Sequence, residues 1–206
     1  MFALIENGKF VKIVNSNKGI TIGDNQYPKS IYSLWSEDER NAIGIYEVSV
    51  DNTNKKDEEY YINTDISYSF DGSSVIGSYG TPTPKPLDDV LFVEGDEIPS
   101  DKTVGDIKQY GLKGQKISII KQQAGGLLAP TDWYVIKANE VADYSVPTDI
   151  ATYRENVRAK SNEMETQINA CTTVDELKAL YEYTNTGTEE NPIYTRPLAE
   201  FPKEVI

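Results

Sequence analysis

The sequence predicts an α+β protein: a small antiparallel β-sheet domain at the N-terminal end, then a helical hairpin module and an extended tail. Three observations carry this expectation. Up to about residue 86, short apolar runs alternate with turn residues, whereas after Gly114 the apolar spacing becomes that of a helix. Between the two regimes lies Thr81-Pro82-Thr83-Pro84-Lys85-Pro86, whose alternate prolines favour an extended, semi-rigid segment and cannot serve a central strand. The expected segments are therefore 1–86, 87–183 and 184–206.

In the first segment, Phe2 to Ile5 and Phe10 to Val14 flank Glu6-Asn7-Gly8-Lys9. Asn-Gly accepts positive φ at both central turn positions, so this is a hairpin signal. Tyr27-Pro28 precedes a short helical pattern, and Ser36 with Glu39 three residues on makes a capping box. Gly44 suits a helix stop, and Ile45 to Val50 alternates as a strand. After the polar run Asp51 to Glu59, strands are expected at Tyr60 to Asn63, Ile66 to Phe70 and Val75 to Tyr79. Asp71-Gly72 turns the last two into a hairpin.

In the second segment, Val90 to Val93 is a candidate strand. Ile117, Ile120, Ala124 and Leu127/Leu128 then form one helical stripe that Gly125-Gly126 interrupts. Each glycine costs a helix interior about 1 kcal/mol relative to alanine, a cost tolerated where another backbone must come close. Pro130 stops the helix and Thr131 can cap a new turn containing Trp133, Tyr134 and Ile136. Adjacent aromatics on a short helix face different directions, so one is expected inside and the other against a partner. Pro147 suits the first position of a long helix to about Ala170. Its apolar residues Ile150, Tyr153, Val157, Met164 and Ile168 make a narrow seam for one or two partner helices, with Ser161 on it. Thr173 and Glu176 form a second capping box, and the short connection predicts that the helix they start folds back on the long one. The tail, with Pro192, Pro197 and Pro202, reads as extended and loop-like.

Composition narrows the function. Hydrophobic residues at 38% and charged residues at 26% describe a soluble globular chain. The 14 tyrosines against 5 phenylalanines suit half-buried strands and protein interfaces. A net charge of −13 repels phosphate backbones, so no nucleic-acid partner is expected. Residues 1–14 do not read as a secretion signal, and no apolar run approaches the ~20 residues that span a bilayer, so no membrane insertion is expected.

Chemistry is scarce. There is no histidine and Cys171 is the single cysteine, which excludes intrachain disulfides, Cys/His zinc sites and histidine-based triads. The run Asp51 to Glu59 superficially resembles a calcium loop, but Lys56 and Ile62 occupy the places of its glycine and bidentate glutamate. Gly125-Gly126 lacks the Lys-Ser/Thr of a phosphate loop. Asp88/Asp89 and Glu189/Glu190 are adjacent residues in loops and point apart, so they do not set up an acid and a base. No catalytic residue, metal ligand or cofactor site is expected.

The run Ala124-Gly125-Gly126-Leu127-Leu128-Ala129-Pro130-Thr131-Asp132-Trp133-Tyr134-Val135-Ile136 is followed by Val146-Pro147-Thr148-Asp149-Ile150, Tyr153-Arg154, Val157-Arg158 and Thr172-Thr173-Val174-Asp175-Glu176-Leu177. As a set these words resemble the C-terminal module of tail-fibre assembly and tail-assembly-chaperone-like proteins of tailed phages. Gln26-Tyr27-Pro28 and Ser36 to Gly44 are similar to another phage-tail-associated module. The β-rich front half and proline-containing tail depart from a pure chaperone pattern. The resemblance implies a non-enzymatic virion component at the baseplate or tail-fibre attachment, located in the virion tail, or in the host cytoplasm during assembly. Its partners would be other tail, fibre or baseplate proteins, or further copies of itself. The alternative is a fibre-assembly chaperone absent from the virion; a third reading is a host-surface glycan-binding protein. The residues expected at the partner interface are Leu127, Leu128, Trp133, Tyr134, Ile136, Tyr153, Val157, Met164 and Ile168.

Overall fold

The computed structural model describes residues 1–204 and is a mixed α+β structure. It divides into two compact units, Met1–Thr83 and Pro84–Ile206.

The first unit opens with β1 (Phe2–Glu6) and β2 (Lys9–Val14). Asn7 and Gly8 both have positive φ, 51° and 70°, the conformation that lets a two-residue turn follow the right-handed twist of its strands. A second hairpin, β3 (Ile20–Ile22) with β4 (Asn25–Tyr27), turns on Gly23 and Asp24 and was not foreseen in the sequence. Two short helices follow, α1 (Ile31–Leu34) and α2 (Glu37–Ala42), the latter with the full Ser36–Glu39 capping box. Gly44 ends this stretch at φ 82°, and a Cβ there would meet the Ile5 carbonyl oxygen at 2.4 Å. The remaining strands are β5 (Ile45–Asp51), β6 (Tyr61–Ile62), β7 (Ile66–Phe70), β8 (Val75–Tyr79) and β9 (Thr83–Pro84).

The main sheet has the order β2-β1-β5-β8-β7. It is not wholly antiparallel as expected, because β5 and β8 run parallel, with Val48 opposite Val75. A parallel pair needs a long crossover. The chain from residue 52 through β7 supplies one, and the β7–β8 hairpin then inserts its second strand beside β5. Both faces of this sheet are apolar. Ala3, Ile5, Val48 and Val75 form one cluster, roofed by Phe10, Ile13, Tyr46, Tyr68 and Phe70; Leu4, Val14 and Ile45 form the other. The tyrosines serve as half-buried covers here: Tyr68 stacks on Phe10 at 5.0 Å and Tyr46 meets Phe70 edge-on at 4.7 Å.

In the second unit, β10 (Val90–Leu91) pairs with β11 (Ile107–Gln109). α3 (Leu112–Leu128) starts before Gly114, which lies in its first turn, and a 3₁₀ turn (Ala129–Thr131) leads into α4 (Asp132–Glu140). α5 (Thr148–Ala170) begins just after Pro147, and α6 (Val174–Ala179) carries the Thr173–Glu176 capping box. The helical hairpin differs from the expected one. α5 packs along α3, rather than chiefly against α6, in antiparallel sense: Tyr153 reaches Leu127, and Lys121 pairs with Glu165 at 3.1 Å. The tail is also more structured than predicted. β12 (Thr184–Asn185) pairs with β13 (Tyr194–Thr195), and Leu198 is fully buried. Its amide donates to the Leu180 carbonyl at 3.0 Å, while the Gln167 side chain binds Pro197 O at 3.0 Å and Ala199 N at 2.9 Å.

Candidate interaction surface

The segment singled out in the sequence folds as a corner. α3 ends at Leu128, Pro130 sits in the 3₁₀ turn, and α4 leaves in a new direction. A helix end presents carbonyls with no intrahelical partner and a partial negative charge. Arg154, on the first turns of α5, answers both. Its guanidinium donates to Leu128 O at 2.9 Å, to the Thr131 hydroxyl at 2.5 Å and to the Asp132 carboxylate at 2.8 Å. Thr131 is wholly buried and its hydroxyl donates to Leu128 O at 2.7 Å, so it anchors the corner instead of capping α4 through its side chain. Arg154 is the residue holding this corner that sequence reasoning missed. It sits one position off the apolar seam and carries no spacing signal of its own.

Seven of the nine predicted interface residues fall into two groups, while Leu127 and Leu128, at the end of α3, are half-buried between them. Tyr153, Val157, Met164 and Ile168 are buried within the chain, the last three at 2% exposure or less. The expectation that they meet another protein is corrected: α3 and the C-terminal segment cover the seam. Ala124, Tyr153 and Val157 form a cluster against which Leu127, Leu128 and Phe201 pack half-buried. Ser161 is buried on the same seam.

The second group is on α4, which buries none of its residues. Trp133 is 50% and Ile136 55% exposed, and Tyr134 is half-buried. The two aromatic rings lie side by side, 3.7 Å between centroids, and do not diverge as predicted. Lys137 spans this surface, its ammonium 5.9 Å from the Trp133 ring and 4.3 Å from that of Tyr144. Beneath the corner a cleft of about 250 Å³ is lined by Leu127, Pro130, Tyr153 and Glu204. Burial and the neighbouring Glu204 carboxylate raise the Tyr153 phenol above its ordinary range. Gly125 and Gly126 face open space, so among the described residues nothing explains them by close approach.

Of the acidic residues considered above, Asp88, Asp89 and Asp51 hold local contacts. Asp88 pairs with Lys113 at 2.9 Å, Asp89 accepts from Gly111 N at 2.8 Å, and Asp51 accepts the Thr53 amide at 2.9 Å. Hydrogen bonds from turn backbone and hydroxyls hold Asp51, Asp106 and Glu176 below the usual carboxylate range. Among the described residues no three His, Cys, Asp or Glu side chains gather as metal ligands, and no helix is long and apolar enough to cross a membrane. Comparison with models of protein families, with curated proteins and with solved structures finds no match.

Proposed function

We propose that this chain is a non-enzymatic structural component of a phage tail, placed at the baseplate or fibre attachment and acting through protein contacts. The resemblance over Ala124 to Arg158 supplies the class. The observation that carries the mode of action is α4, a helix with Trp133 and Ile136 turned outward on a corner clamped by buried Arg154. Aromatic anchors on a preorganised element contribute most to binding, because little conformational freedom is lost on association. The second unit is then the gripping module and α4 its contact helix.

The chaperone reading draws support from one feature. An extended arm argues for a subunit that stays in the particle, and here the arm is docked on its own helices through Leu198 and Gln167. Mass spectrometry of purified particles decides between the two: the protein is expected in stoichiometric amounts, and its absence from virions transfers the assignment to the chaperone. In either case Trp133→Ala with Ile136→Ser is expected to abolish capture of the neighbouring tail or fibre protein without unfolding the chain. Undiminished capture by that double variant removes α4 from the contact.

A further inference from the structure

The first unit contains a positive island in an acidic protein. Residues 9–30 hold Lys9, Lys12, Lys18 and Lys29 against Asp24 alone, a surplus of three positive charges in a chain of net −13. Three of these lysines border two open clefts of about 380 and 430 Å³ that share one wall, Tyr32. Lys12 and Lys18 line the first cleft and Lys29 the second. Neither lining includes an aspartate or glutamate. Among the described residues none of the three lysines forms an ion pair, although Lys108, Lys113, Lys121 and Lys160 all do. Screening confines a charge's influence to about 8 Å at physiological ionic strength, so the island keeps its own sign despite the overall charge.

The rest of the lining is equally selective. Asn15, Asn17, Ser30 and Ser33 bring amides and hydroxyls, which both donate and accept. The Tyr32 ring adds an aromatic wall, held at 5.2 Å from the Phe2 ring. Its hydroxyl is shielded from water and has no hydrogen-bond partner among the described residues, so what Tyr32 offers the clefts is its ring. Lysines without acids select an anion, the amides and hydroxyls match a polyhydroxylated one, and each cleft has the volume of a small-molecule subsite.

We propose that the twin cleft around Tyr32 binds an acidic saccharide, one sugar unit on each side of the ring. The inference rests on the first unit alone and stands or falls independently of the phage-tail reading.

The test is an NMR titration of the full ¹⁵N-labelled chain with three probes: a glucuronate-containing disaccharide, neutral lactose and inorganic phosphate. The acidic disaccharide is expected to give saturable shifts around Lys12, Lys18 and Tyr32, at least about fivefold tighter than either other probe, and to weaken severalfold as salt rises. Lys12→Gln/Lys18→Gln/Lys29→Gln is expected to lose that binding at least tenfold with an unchanged melting temperature. The charge-matched control Lys102→Gln/Lys160→Gln/Lys203→Gln is expected to keep it. Tyr32→Leu, which keeps the bulk and removes the aromatic wall, is expected to bind severalfold more weakly, whereas Tyr32→Phe, which keeps the ring, is expected to bind as the parent does. The proposal is overturned by absence of saturable shifts, by equal binding of lactose or phosphate, or by parent-like binding of either the lysine-cluster or the Tyr32→Leu variant.

Discussion

Arg154 shows how an ion pair can be present and still contribute little. Its side chain is 8% exposed whereas that of Asp132 is 55% exposed, so water screens the carboxylate while the guanidinium is held by Leu128 O and the Thr131 hydroxyl. Exposed pairs contribute under about 1 kcal/mol, whereas hydrogen bonds from a buried charged donor contribute about 1.5–3 kcal/mol. Arg154→Ala is therefore expected to cost about 2–3 kcal/mol in urea unfolding, and Asp132→Asn less than about 1 kcal/mol. Arg154→Lys is not expected to restore the difference, because one ammonium cannot span the carbonyl, the hydroxyl and the carboxylate as a planar fork does. An Asp132→Asn loss as large as that of Arg154→Ala contradicts this division.

At the scale of elements, α5 does not keep the partner-facing role that its seam suggested, whereas α4 stays exposed. A helical repeat of apolar residues states that a face will be covered, not what covers it. The cover of the α5 seam comes from α3 and from Phe201, at sequence separations that no local pattern reports. Ile168→Ala or Met164→Ala should accordingly cost about 2–5 kcal/mol, the range for emptying a close-packed site. Trp133→Ala and Ile136→Ser should stay within about 0.5 kcal/mol, as surface changes do. Gly125→Ala and Gly126→Ala form a separate case. Both glycines lie inside α3 and an added Cβ meets nothing within 4 Å, so each substitution should stabilise by about 0.5–1 kcal/mol in thermal melts. A loss instead of a gain shows strain that the helix geometry does not contain. Features legible in the sequence were those closed within a few residues: the Asn7-Gly8 hairpin, both capping boxes and the Asp71-Gly72 turn. The β3–β4 hairpin escaped because three residues are too short a run for the Ile20-Thr21-Ile22 alternation to stand out, although Gly23-Asp24 between apolar-containing triplets was a usable signal. The parallel β5–β8 pair was illegible for a different reason, since its register depends on where a distant hairpin docks. Of the candidate surface, an exposed aromatic on α4 was foreseen, whereas the side-by-side pairing of Trp133 with Tyr134 and the Arg154 clamp were not.

For the whole molecule, the titration chemistry bounds stability from both sides. Glu39 and Glu176 are held below the ordinary glutamate range by the backbone and hydroxyl donors of their capping boxes, and Asp71 by four donors from Ser73 and Ser74. A carboxyl whose folded pKa is depressed contributes stability above its unfolded pKa, about 3.9–4.3, and loses it as pH falls through the folded value. Burial raises the Cys171 thiol, and burial with Glu204 raises the Tyr153 phenol. For these the sign reverses: their contribution is complete below the unfolded pKa, about 8.5 for a thiol and 10 for a phenol, and disappears as pH rises through the folded value. With no histidine in the chain, no side chain of ordinary pKa titrates between these limits. Melting temperature is thus expected to be nearly flat from about pH 5 to 8, to fall below about pH 4 and to fall again above about pH 9. Cys171→Ala should remove the first part of the alkaline fall and leave the acid limb unchanged, whereas Glu176→Gln should shallow the acid limb alone. A steep slope near pH 6.5, in a chain without imidazole, requires a carboxyl or amine displaced far from its ordinary range and refutes this assignment of the stabilising charges.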